Sequence, residues 1–385
     1  MGVVNFSSAQ QYISKFENKM EREKLLSTYL SLPYQVIHDS PTLKHYTDWN
    51  KFDNLSLEVK DSDETKVSRQ IEDYKTIVVD NGLIKDSNVT VSDSPYNELI
   101  KPEEHKLVAL TLALSRKIRI TSREFKKVLV YHTSSLEKTI SPLNLEVEIK
   151  EGDELDLIYF SESKLTSMTS SVISLKVSKD SILNLYVISL SPYVFLHMKA
   201  EVEGTVNNLV FSSKSIASHI NYNIELKGSS SSTFTAKAIG IDDDNIDIRI
   251  NVNHIGSNSR SEGVLKAISA DNALTVIRGD ATIFENAYES STSILGRAFI
   301  IGKEAKAVVA PMLEVKTGRV KLAKHSASVS KVPEDLIFYL ESRGFSRKEA
   351  ESMIIKGFIS DENDPQFLSK IIDEILTESK VILSV

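Results

Sequence analysis

Apolar residues change their spacing twice along the chain, which divides it into three stretches. Between residues 8 and 31, Tyr12, Phe16, Met20, Leu25, Leu26 and Tyr29 recur at near-helical intervals among charges, and Pro33 ends the run. That spacing predicts an amphipathic helix. A polar stretch rich in Asp and Ser runs from Asp61 to Glu72, and beyond it the β-branched run from Thr76 meets Asn81-Gly82. A short strand and a tight turn are expected there. Residues 103–116 (EEHKLVALTLALSR) return to a helical texture.

From about residue 117 to 330 the pattern becomes many short β-prone runs separated by Ser, Asn, Asp and Gly. The clearest is Ile246, Ile248, Ile250 and Val252 alternating with Asp247, Arg249, Asn251 and Asn253, the period of two of a half-buried strand. SVISLKV, ILNLYVISL, HINYNIEL and AVVAPMLEV are similar. Roughly a dozen such strands suit a sandwich, a barrel or a β-solenoid, among which periodicity does not choose.

After Val332 the helical period returns with marked boundaries. Pro333, Glu334 and Asp335 open one helix and Gly344 closes it, while Ser346 and Glu349 form a capping box for a second. Asp364-Pro365 starts a third, with Phe367, Leu368, Ile371, Ile372, Ile375 and Leu376 on one apolar face. Three short helices folded back as a cap or docking platform are expected. The expected division is a mainly helical region over 1–116, a strand core over 117–330 and a helical region over 331–385.

Composition narrows the function. A 41% apolar and 26% charged chain of 385 residues can bury a sizeable core. Its net charge of −7 argues against a grip on nucleic acid. No apolar run approaches the ~18 residues of a membrane span, and the start MGVVNFSSAQ lacks a basic-then-apolar leader, so the cytoplasm is the expected compartment. The absence of cysteine excludes disulfides, thiolate nucleophiles and any cysteine-ligated metal or cluster made by this chain alone.

No motif announces catalysis. Gly302-Lys303 resembles the end of a P-loop, but Gly296 lies one residue too far upstream and Glu304 replaces the required hydroxyl. Asp242-Asp243-Asp244-Asn245 lacks the glycine and bidentate Glu of a calcium loop and reads as a solvated turn. The eight histidines are scattered, with no i, i+4 pair of the helical metal-site kind. Two have informative settings. His254 continues the Ile246 to Val252 alternation onto the apolar face, and His325 shares a face with Ala323, Ala327 and Val329.

The stretch Pro311 to Phe358 resembles the C-terminal signature of the SufB/SufD family. PMLEV (Pro311 to Val315) is similar to its P-x-L-E-hydrophobic element, and HSASVS (His325 to Ser330) to its H-G-A-T-V-G element. LIFYLESRGFSRKEA (Leu336 to Ala350) is similar to its L-F-Y-L-x-S-R-G-hydrophobic-x-x-x-E-A helix pair, with Gly357 and Phe358 also in register. KHYTDW (Lys44 to Trp49) echoes a W-R-Y-T-D element, and HIGSNSRS (His254 to Ser261) an H-x-x-x-x-x-x-S element.

The resemblance implies a mainly β fold, a right-handed parallel β-helix with helical N- and C-terminal regions. It implies a non-enzymatic scaffold in iron–sulfur cluster assembly, paired with a SufB-type paralogue or with itself, and docking SufC-type ABC ATPases. Phe338, Tyr339, Leu340, Arg343, Gly344 and Phe358 are the implied docking residues. No tightly bound cofactor is expected. A transient iron or nascent cluster would be shared with the partner, and the lack of cysteine favours the SufD type, with His325 as the implied ligand. Ser326 and Ser330 depart from the family by replacing two glycines, which puts a tight backbone approach there in doubt.

Two other classes compete. A carbohydrate-active β-helix enzyme would use Asp242, Asp243, Asp244 and Asp247, given a suitable separation of carboxylates. A homodimeric structural protein without cluster chemistry would share every motif above.

Overall fold

The computed structural model describes residues 2–40, 44–61, 69–85, 89–164 and 166–379, so most of the polar stretch between Asp61 and Glu72 lies outside the described residues. The first strands are β1 (Lys75–Asp80), β2 (Leu83–Ile84), β3 (Thr90–Ser92), β4 (Lys117–Thr121), β5 (Lys127–Ser134) and β6 (Ile140–Ile149). Then come β7 (Glu154–Ser163), β8 (Met168–Val177), β9 (Ile182–Ser189), β10 (Tyr193–Val202), β11 (Thr205–Ser213), β12 (Ala217–Leu226) and β13 (Ser231–Gly240). The last are β14 (Asn245–His254), β15 (Arg260–Ala270), β16 (Leu274–Ile283), β17 (Ser290–Ile301), β18 (Lys306–Val315) and β19 (Val320–Lys331).

Every strand from β6 onward pairs in parallel with the strands two before and two after it where these exist, and β5 pairs in parallel with β1 and β7. The odd strands from β5, with β1 and β2, lie in a ten-stranded sheet, and the even ones from β4, with β3, in a nine-stranded sheet. The result is a parallel β-solenoid of about eight turns. This resolves the choice the strand count left open. Sequential strands alternate between two facing sheets, so the inward set of each strand meets only other inward sets. Ile246, Ile248, Ile250, Val252 and His254 are fully buried there, as their alternation predicts. Burying each such aliphatic side chain contributes about 1.5–3 kcal/mol.

The corners explain the Asp and Asn punctuation. Asp180, Lys214, Asp242, Asn258, Asp271 and Glu289 each adopt the left-handed region with φ between 54° and 60°. Asp and Asn tolerate it better than most side chains. The Asp242 run is thus a corner between β13 and β14. At the start, Asn81 (φ 47°) and Gly82 (φ 81°) make the tight turn joining β1 to antiparallel β2.

Helices cover both outer walls. α1 (Phe6–Ile13), α2 (Lys19–Ser31), α3 (Trp49–Asp53) and α4 (Lys106–Leu114) pack on the even-strand sheet, where Tyr12, Leu25, Leu26 and Leu110 form one cluster with Met168, Val172 and Phe195. The helix expected over residues 8–31 is therefore two helices. Between them the chain leaves the helix over residues 14–18, and on α2 the buried Arg22 guanidinium donates to Ala113 O (2.7 Å) and Ser115 O (2.9 Å) at the C-terminal end of α4 and sits over the Phe16 ring. Met20, read as part of the apolar face, is 75% exposed.

α5 (Glu334–Glu341), α6 (Arg347–Ile359) and α7 (Gln366–Glu378) follow the solenoid. Pro333 stands just before α5, and the Ser346/Glu349 capping box is formed. The apolar face of α7 packs on the outer wall of the odd strands, Leu368, Ile371, Ile372, Ile375 and Leu376 clustering with Leu129, Ile158, Phe160 and Ile188. Lys237, buried in that wall, clamps the α6–α7 turn through Asp364 (2.6 Å) and Asp361 (2.8 Å).

Candidate functional site

The two ends of the solenoid are finished differently. At the first, short antiparallel strands close each sheet: β2 against β1 and β3 against β4. At the last, among the described residues, β18 bonds only to β16 and β19 only to β17, so ten- and twelve-residue strands stand as sheet edges. Most of β19 is exposed, Leu322 to 45% and Val329 to 44%. Long edges carrying unpaired N–H and C=O groups beside apolar side chains are templates for another chain.

His325 lies on this last coil. It pairs in register with Ile294, which is buried in the interior, so both side chains project from the lumen face of their sheet. With no further coil above it, the ring is open to solvent. Its Nδ1 lies 2.8 Å from Pro311 O, a group that only accepts, so Nδ1 carries the proton. The neutral ring then presents a free Nε2 lone pair in a fixed orientation, the form in which imidazole ligates metals. This contact joins the PMLEV and HSASVS segments, a link absent from the linear sequence. Ser326 and Ser330 sit in extended β19 without positive φ, so no glycine conformation is required of them.

The six residues implied for docking separate into two groups. Phe338 is 72% and Tyr339 54% exposed on α5, opposite buried Ile337. Arg343 lies over the Tyr339 ring, and Gly344 (φ 97°) makes the turn into α6. Leu340 is half-buried. Phe358 packs on Phe299 with ring centroids 4.2 Å apart, so it anchors α6 to the solenoid. The α7 face is likewise spent on the wall. The accessible apolar surface of this region is centred on α5.

His254 is a wall residue. Its Nδ1 meets Ser259 Oγ (2.8 Å) and its Nε2 meets Ser261 Oγ (2.9 Å), which is what the His–Ser spacing of that segment builds. His132 is bonded to Tyr159, Ser171 and Ser141 in the same way.

The candidate acid cluster dissolves. Asp242 to Asp244 sit at the corner, where burial raises Asp244 to about 6. Asp247 is fully buried on β14, bound to Arg278 (2.6 Å) and capped by the backbone N–H groups of Tyr46 and Thr47. No saccharide reaches it. That same capping segment contains the KHYTDW residues, and it brings His45 beside His105 and His219. Scatter in sequence did not mean scatter in space, and no local period could have revealed this group.

A sequence profile described as the SUF system FeS cluster assembly SufBD core domain matches residues 131–358. Among curated proteins the chain is similar to iron–sulfur cluster assembly SufBD family proteins of several organisms. One from Galdieria sulphuraria is 37% identical over 105 residues, 27% of this chain and 47% of that protein. One from Staphylococcus saprophyticus is 38% identical over 106 residues, 28% of this chain and 23% of its own length. One from Synechocystis is 36% identical over 108 residues, covering 28% and 22%. The chain thus spans less than half the length of each of these relatives. A relative in Arabidopsis thaliana is described as chloroplastic. Among the described residues no helix is long and apolar enough to cross a membrane. The core-domain match extends over more than half of this chain, which therefore belongs to the SufBD family of iron–sulfur cluster assembly proteins.

Proposed function

We propose that this chain is a cysteine-free, SufD-type scaffold subunit whose open solenoid end joins a SufB-type subunit, and whose α5 surface receives a SufC-type ABC ATPase. The observation that carries this is the asymmetry of the ends: one closed by antiparallel strands, the other left as two long edges. Two solenoids meeting edge to edge would continue both sheets across the junction and cover Leu322 and Val329. His325 would then lie at the seam. Its oriented Nε2 would act with a thiolate of the partner on iron or a nascent cluster, which is the cargo of the assembly. On this reading the chain performs no catalysis and works in the cytoplasm.

His325→Ala tests the ligand role. The ring is exposed and makes one hydrogen bond, so stability should change by no more than about 1 kcal/mol. Cluster yield in an anaerobic iron and sulfide reconstitution of the complex should fall severalfold while the complex still forms and melts normally. A mutant complex with the wild-type cluster yield excludes His325 as a ligand. Loss of complex together with loss of cluster assigns it a structural role instead.

A further inference from the structure

Three histidines from distant parts of the chain meet on the outer wall of the even-strand sheet, beneath the N-terminal helices. His219 projects outward from β12, next to Phe195 on one side and Asp247 on the other. His105 is the residue before α4, and His45 belongs to the segment that caps Asp247. One ring nitrogen of each lies within 4.8 Å of the other two. The rings are walled by Trp49 and Phe195, the latter stacked on His219 with centroids 5.8 Å apart and planes 8° apart.

The hydrogen bonding of these rings is unlike that of His132 and His254, whose nitrogens are all satisfied. His45 Nδ1 is buried with no partner, and His105 Nε2 is buried with no well-formed hydrogen bond, only a looser approach of the ring to the Tyr34 backbone. An aromatic packing role would not call for such atoms, because a buried unpaired nitrogen is destabilising where a Phe in its place is not. His219 is oriented as metal-binding histidines are. Thr47 Oγ1 donates to Asp247 Oδ2 (3.1 Å), so it accepts from His219 Nδ1–H (2.9 Å) and leaves Nε2 as a lone pair. Asp247 is in turn held by Arg278. Burial holds His45 down to about 4 and His105 and His219 well below their ordinary value, so all three are neutral at physiological pH.

We propose that His45, His105 and His219 bind one divalent first-row transition ion of the zinc or ferrous type. Three neutral imidazoles without thiolate or clustered carboxylate select these ions over magnesium or calcium. His45 and His105 also line an open cleft with Tyr34, Gln35 and Glu104, which gives the ion an entry path and leaves a fourth position for water. Tetrahedral coordination at about 2.0–2.1 Å needs the nitrogens to draw together from their present spacing. His45, half-buried on an irregular segment, is the ligand placed to move. His105 Nδ1 accepts the Leu107 N–H, so the neutral ring keeps its proton on Nε2. Ligation there shifts that proton to Nδ1 and releases the α4 cap bond. The three ligands come from three separate elements, so the ion would staple the N-terminal layer to the solenoid.

The site makes no use of the open end or of His325, which keeps its test separate from that of the proposed function. Metal-free full-length protein titrated with Co²⁺ should develop the visible bands of a four-coordinate site at one ion per chain, displaced by Zn²⁺. Zn²⁺ should also raise its melting temperature. His45→Ala and His219→Ala should abolish both effects, Thr47→Val should weaken binding about 10- to 100-fold, and His325→Ala should change neither. If His219→Ala fails to fold, His45→Ala, at the cleft, carries the test. The absence of Co²⁺ bands and of a melting shift in the wild type, binding that survives His45→Ala, or binding lost in His325→Ala would each overturn the proposal.

Discussion

His132 and His254 sit in the solenoid as neutral rings, and their burial has a measurable consequence. Removal from water pushes His132 down to about 3 and His254 to about 4, with only hydroxyls and a carbonyl as partners. In the unfolded chain each takes up a proton near pH 6.5. Below that pH the unfolded state binds more protons, so stability falls as pH drops from about 6.5 toward the folded-state values. Each ring contributes a slope of about 1.4 kcal/mol per pH unit across that window. His254→Gln should flatten the stability–pH profile between about pH 6 and 4 by one such slope. Urea unfolding at several pH values reads this directly, and a slope equal to that of the wild type would show that His254 is not buried neutral. His254 was legible in the sequence because strand alternation and a seven-residue His–Ser spacing are local. His45, His105 and His219 were not, since a contact such as Thr47 to His219 joins positions 172 residues apart.

Among the elements, the C-terminal helices show how far local signals reach. Proline, acidic first turns and the Ser346/Glu349 box fixed where α5, α6 and α7 begin, because caps are satisfied by neighbours in sequence. What each face touches is decided by the whole molecule. Of the expected cap or docking platform, the broad apolar stripe of α7 is consumed by the solenoid wall, whereas α5 keeps Phe338 and Tyr339 outward. The single helix expected over residues 8–31 is two, and what the second of them touches is likewise decided at long range, Arg22 reaching carbonyls 91 and 93 positions away. On α5, Phe338→Ala with Tyr339→Ala should leave the melting temperature nearly unchanged, as exposed substitutions do. It should weaken ATPase binding by about 2 kcal/mol or more, roughly thirtyfold in Kd, if these aromatics anchor the interface. Calorimetric titration of the scaffold with the ATPase checks this, and an unchanged Kd removes α5 from the interface.

At the scale of the molecule, among the described residues, helices pack on both walls of the solenoid and antiparallel strands close its first end, while the last coil is left with open edges. The strand texture was visible in the sequence, but the closure into coils was not. Parallel pairing from β4 onward, the β1–β5 pair aside, joins residues 23 to 32 positions apart, and keeping only inward polarity leaves no exact repeat to detect. The signature at Pro311 to Phe358 supplied what the periodicity lacked. The central claim concerns the open end, and Leu322→Lys with Val329→Lys tests it most directly, since both side chains are exposed and charge on an edge opposes strand pairing. Sedimentation of the chain co-expressed with a SufB-type subunit should give a heteromeric complex for the wild type. The double variant, with an unchanged melting temperature, should give separate subunits. A double variant that assembles as fully as the wild type, or a wild type that stays monomeric at micromolar concentration beside its partner, would contradict the account.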